Sequence, residues 1–185
     1  MRRLQQILSV AVGLALSAVA AHAAPPETGG LALGNWVVVD ARNHANGAKF
    51  PVAMVLGIAE ERGQTRPASL RVDGREGRPI VRVDTDGLAF GRAAVEVRQS
   101  LDGGRFVTGA WLADANGSVL ALSGDEAIAF LAELSGKSEL RLAAVRPLSV
   151  PFVLTFRIRG AERALRPLAD RYHWSGGPAI SEAEP

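Results

Sequence analysis

The chain has 185 residues, with 21 basic and 19 acidic side chains and no cysteine. Without a thiol there are no disulfides, thiolate metal sites, redox pairs or N-terminal lipid attachment at cysteine. When the first 23 residues are set aside, 19 basic and 19 acidic side chains remain, so the charge gives no support to nucleic-acid binding.

Those 23 residues read as an export signal. Arg2 and Arg3 are followed by a mostly apolar run from Ile7 to Val19 and then by Ala21-His22-Ala23. This is a positive n-region, a 13-residue h-region and an A-x-A cleavage site, which predicts a mature start at Ala24. A membrane span needs about 20 apolar residues, so the run is too short to be an anchor. No strongly apolar pair follows Arg2-Arg3 at twin-arginine spacing, which favours the general export route. The expected location is the periplasm. The remaining 162 residues suit one domain with its own core.

Residues 24–34 are rich in Pro and Gly and are expected to form a flexible segment. Trp36 to Val39 starts the folded domain, 35–174, as a strand. Asp40 to Lys49 reads as a turn, and Pro51 to Ala59 as an apolar run of strand length. Glu60 to Pro67 is charged and turn-like, and Ser69–Asp73 and Pro79–Val83 are short strands. Val95, Val97 and Leu101 alternate with polar residues up to Asp102-Gly103-Gly104, which tolerate the positive φ of a tight turn. Arg105 to Leu112 returns, Asp114-Ala115-Asn116-Gly117 turns again, and Val119 to Leu122 completes a meander.

The apolar period then changes from 2 to 3.6. Ser123-Gly124-Asp125-Glu126 has the form of a capping box, and Ala127, Ile128, Leu131 and Leu134 share one helical face that stops at Gly136. Glu139 to Val145 resumes strand. Val150 to Ile158 follows, with Phe152, Leu154, Phe156 and Ile158 on one face. Gly160 opens a second helix from Ala161 to about Tyr172, in which Pro167 is expected to introduce a kink or a break. The acidic tail, 175–185, reads as flexible. The expected fold class is α+β: a mainly antiparallel sheet or sandwich of about eight strands, with two helices in the C-terminal half.

Motifs for chemistry are scarce. His44 and His173 read as a loop and a packed terminal histidine rather than ligands beside Asp40 or Asp170. Asp114-x-Asn116-Gly117 lacks the further oxygen ligands of a calcium loop and reads as a turn. Asp84 and Asp86 read as a solvated strand end rather than an acid–base pair. There is no G-x-S-x-G elbow, H-E-x-x-H pair or phosphate-binding glycine loop. Trp36 and Trp111 lie in strands and read as core, and Trp174 stands near the C-terminus. The expectation is therefore no catalytic site, no metal and no cofactor.

One charge asymmetry stands out. Residues 136–171 hold 8 basic and 3 acidic side chains. Arg163 and Arg166 are three apart on the last helix with Arg159 one turn before, which predicts an arginine stripe opposite the apolar face. Its plainest reading is a solvated helix face. Its functional reading is a grip on an anionic partner, an acidic protein face or anionic headgroups, because guanidinium bonds carboxylate or phosphate bidentately.

Several segments together resemble the invasion-associated locus B family of exported bacterial proteins. They are Gly34-Asn35-Trp36-Val37-Val38, Leu88-Ala89-Phe90-Gly91 before a hairpin, the Asp125-Glu126-led helix over 124–134, the strand after Lys137, and Gly160-x-x-x-Ala164-Leu165-x-x-Leu168. The last segment with Trp174 is also similar to an accessory protein family of type VI secretion. Both resemblances imply small β-rich envelope proteins without known catalysis, and neither supplies site residues.

The expected function is a non-enzymatic envelope protein that binds a protein or a surface, with a link to invasion implied by the first resemblance. Two alternatives remain: a carrier holding a small ligand in a half-barrel, and a hydrolase whose site is dispersed along the chain.

Overall fold

In the computed structural model the described residues are 30–42, 47–75, 77–85, 89–91, 94–145 and 152–174. The segment read as an export signal, His44, Asp86 and the tail from Ser175 lie outside them.

Alternating apolar residues build ten strands. They are β1 (Leu31–Leu33), β2 (Trp36–Arg42), β3 (Lys49–Glu61), β4 (Gln64–Arg75), β5 (Arg78–Thr85), β6 (Ala94–Leu101), β7 (Val107–Ala113), β8 (Val119–Ser123), β9 (Glu139–Val145) and β10 (Phe152–Arg157). Every pairing between them is antiparallel. Helix α1 (Asp125–Glu133) is inserted between β8 and β9, and α2 (Ala161–Tyr172) follows β10.

The sheet closes on itself. Going round, the order is β3-β10-β9-β6-β7-β8-β5-β4, and β4 pairs again with β3. This eight-stranded barrel replaces the sandwich expected from the sequence. The reason is the length of β3 and β4, 13 and 12 residues, which lets β3 pair with β4 along one edge and with β2 and then β10 along the other. The charged stretch Glu60 to Pro67 is mostly strand. Only Arg62 and Gly63 turn, with φ of 50° and 77°, as a tight hairpin requires. Part of the segment expected to be loose is β1, which pairs with β2 outside the ring.

A barrel of eight strands has an interior just wide enough for side chains to fill. Here Val55, Leu70, Val83, Leu120, Trp111, Leu142, Leu154 and Phe156 fill it, each fully buried. Phe152, Leu154, Phe156 and Ile158 share the inward face, as their spacing predicts.

β8 and β10 run in the same direction, so both helices leave from the same rim. α1 packs on β5 and β8 through Ala127, Phe130 and Leu131, and α2 packs on β1 to β4 through Ala161, Ala164, Leu165 and Leu168. The capping box is not made. Ser123 still pairs with Ile80 as the last residue of β8, and Gly124, with φ of 70° and no side-chain cap, occupies the N-cap. Pro167 lies on the exposed side of α2, and the helix runs through it as one segment.

Candidate functional site

β3 changes neighbour halfway along one edge. Its first half, Lys49 to Val55, pairs with β2, and its second half, Gly57 to Glu60, pairs with β10. β2 and β10 therefore meet end to end against the same strand. The joint is closed by two bonds: the buried Trp36 indole N–H donates to the Ile158 carbonyl at 3.0 Å, and the Asn35 amide donates to the Arg159 carbonyl at 3.4 Å. Gly57 sits at the switch because a Cβ there would strike the Phe156 ring and the Thr155 carbonyl.

Outside, the joint leaves a groove of about 590 Å3 lined by Val37, Met54, Leu56, Ile58 and Thr155, with Asn35, Glu139 and Arg157 on its flank beside Leu56. Leu56 is 70% exposed, and Val37 and Ile58 are exposed as well. Apolar side chains on the outer wall of a barrel are not required by its core. Across Asn35, Glu139 and Arg157 the groove adjoins a polar depression of about 460 Å3, which Ser138 and Arg159 also line.

The arginines expected from the sequence divide between two places. Arg163 and Arg166 are exposed on α2, away from the buried face of Ala161, Ala164, Leu165 and Leu168. Arg159 lies before the helix, separated from it by Gly160 in the left-handed region, and stands with Arg157 around the polar depression. Arg157 was not singled out by spacing; the antiparallel register of β9 and β10 sets it beside Glu139.

The other candidate residues have structural surroundings. Asp114 accepts from the amides of Ser118 and Val119 at 2.7 and 3.1 Å, and these bonds, Val119 first, hold its carboxyl below the usual range. Asp84 is exposed on β5. His173 ends α2 with φ of 52°, exposed, and Asp40 and Asp170 are exposed too. Among the described residues no three His, Asp or Glu side chains gather as metal ligands, and no helix is long and apolar enough to cross a membrane. Trp111 packs edge-on against Phe130, with ring centroids 5.4 Å apart. Trp174 stacks on Tyr172 at 5.7 Å, and its buried indole N–H has no partner among the described residues.

Two features escaped reading from local spacing. Asp73, buried on the barrel wall, is gripped by Arg82 at 2.5 and 2.6 Å and by Arg71 at 3.1 Å. The groove is the other, although it had a signal. The run from Val52 to Ala59 is apolar in both phases of the strand alternation, so one phase had to face outward.

No protein-family model matches the chain, and the comparison with curated proteins found no relative. Among solved structures the chain is similar to invasion associated protein B from Bartonella henselae. The TM-score is 0.54 at 17% sequence identity, over 78% of this chain and 97% of that one. At that identity the likeness concerns architecture, in agreement with the resemblance read from the sequence: over most of its length this chain has the fold of invasion associated protein B.

Proposed function

We propose that the chain is an exported, non-enzymatic protein of the bacterial envelope that works by binding, and that the groove between β2, β3 and β10 is its binding surface. The observation that carries this reading is the apolar lining on the outer wall, with Leu56 70% exposed, beside a barrel interior already filled by its own side chains. A contiguous exposed apolar patch rimmed by polar residues marks interaction sites in soluble proteins. The groove offers shape, apolar surface and charge, which suits recognition. The printed name of the structural neighbour supports a role in invasion. Export rests on the signal at residues 1–23. Arg163 and Arg166 add a cationic face beyond the groove for an acidic partner.

The carrier alternative, with a ligand inside the sheet, is less well supported, since inward positions such as Leu142, Leu154 and Phe156 are packed.

The test is a photo-reactive residue at position 56, compared with one at position 112. Leu112 is also exposed but lies on β7, across the barrel from β3. Irradiation of cells exporting each variant should give a discrete adduct from position 56 and none from position 112. No adduct from position 56, or the same adducts from both, overturns the reading.

A further inference from the structure

We infer that the groove takes a single-chain anionic amphiphile, an acyl or alkyl chain carrying a carboxylate or phosphate head, bound as a monomer. The inference rests on the binding role proposed above and names the chemistry of the partner.

The groove sets an apolar row beside a charged flank. Along its length it presents Val37, Met54, Leu56 and Ile58, with no charged side chain among these four. Level with Leu56 it meets Arg157, and the adjoining depression adds Arg159, Asn35 and Ser138. Among the described residues neither Arg157 nor Arg159 has an ion pair. Glu139 stands beside Arg157, so the two guanidiniums leave one net positive charge there. A guanidinium is less strongly hydrated than an ammonium and offers a planar fork to carboxylate or phosphate. The match is to a ligand with an anionic head and an apolar tail.

The volume of about 590 Å3 lies within the range of small-molecule sites, ~300–1,000 Å3. The surface is also concave. It is the notch left where β2 and β10 abut on β3 without pairing with each other. A bilayer is best met by a protruding apolar crest, whereas a notch suits one chain laid along it. Met54 is half-buried on its floor, and its unbranched side chain can adapt to chains of different length.

The experiment titrates the full mature chain with dodecyl phosphate below its micelle concentration. Parallel arms use dodecyltrimethylammonium and sedimentation with phosphatidylglycerol vesicles. The parent should bind dodecyl phosphate at one per chain. The cationic analogue should bind at least about tenfold more weakly, given the two guanidiniums. Leu56→Asp and the pair Arg157→Glu/Arg159→Glu should each weaken binding by roughly tenfold or more, and Leu112→Asp should leave it unchanged. All these side chains are exposed, and an unchanged thermal midpoint in each variant confirms that the fold is kept. No binding below the micelle concentration, equal binding of both head groups, or equal loss in Leu112→Asp overturns the inference. Sedimentation with vesicles by a parent that does not bind the monomer also overturns it, in favour of a membrane surface. If position 56 crosslinks a protein while dodecyl phosphate fails to bind, the amphiphile falls and the binding role stands.

Discussion

The indole N–H of Trp36 donates to the carbonyl of Ile158 across 122 residues of sequence, at 3.0 Å and out of contact with water. The bond fastens the start of β2 to the chain leaving β10, so it holds together the two strands that share one edge of β3. Trp36→Phe keeps an aromatic ring and removes the donor, which leaves a buried carbonyl unpaired. The expected loss is about 1–3 kcal/mol, read from the shift in denaturant midpoint. A midpoint equal to the parent's would show that the bond does not hold the joint.

Gly57 lies opposite Phe156, and any Cβ there meets the Phe156 ring and the Thr155 carbonyl. Gly57→Ala should therefore destabilise by roughly 1–3 kcal/mol through overpacking. Gly109→Ala is the matched control, because the nearest atom to its Cβ, the Trp111 indole nitrogen, is 4.0 Å away. Equal unfolding midpoints for the two variants would contradict the close approach.

Asp73 is a buried carboxylate with two arginine partners, Arg71 and Arg82, which are themselves part-exposed. Asp73→Asn removes the charge and keeps the shape. Charged hydrogen bonds are worth about 1.5–3 kcal/mol, and solvent access to both arginines places the expected loss toward the lower end. The loss should shrink in 1 M salt if it is electrostatic. A loss that does not change with salt would assign it to packing instead.

Asp102 and Asp114 both give a dependence on acid. The Asp102 carboxylate accepts from the Glu139 and Ser138 amides at 2.9 Å each, and these bonds, Glu139 first, hold its pKa below the ordinary 3.8. Asp114 is lowered in the same way, first by the Val119 amide. A folded pKa below the unfolded one means stability that is present above the unfolded value and is lost as pH falls through the folded value. The parent should lose stability as pH drops below about 4, and the double variant Asp102→Asn/Asp114→Asn should lose less over the same range. Unfolding midpoints at pH 7, 4 and 2.5 measure this. Parallel curves for parent and variant would show that these two carboxylates do not contribute.

Much of the strand pattern can be read from residue order because it depends on neighbours two apart. β9 runs from Glu139 to Val145 as its alternation predicts, and Asp102-Gly103 turns with φ of 50° and 72°. The limits of β3 and β4 cannot be read in the same way. Near their hairpin the outward positions carry Glu60 and Thr65, and Arg66 is exposed at the rim, so this polar stretch resembles a loop when the partner strand is unknown. Closure of the ring depends on Gly57 meeting Phe156 and on β4 returning to β3, which no local window contains. The arginines illustrate the same limit. Spacing finds Arg159, Arg163 and Arg166 as one stripe, while the company Arg159 keeps with Arg157, Asn35 and Ser138 arises only through the joint of three separate segments.

The last strand of the barrel in sequence is also the one that closes it. β10 lies between β3 and β9, with Val153 opposite Glu60 and Phe156 opposite both Gly57 and Leu140. Until Phe152 to Arg157 has been synthesised, β3 and β9 each lack a neighbour and the inward faces of Leu142 and Ala59 have no lid. Pairings so distant along the chain form slowly. A chain that stopped before Phe152 would hold an open, curled sheet with two sticky edges, prone to pair with other chains. Synthesis through Phe152–Arg157 is thus a condition for the native topology, and the growing polypeptide stays short of its final compact state until that strand has been made.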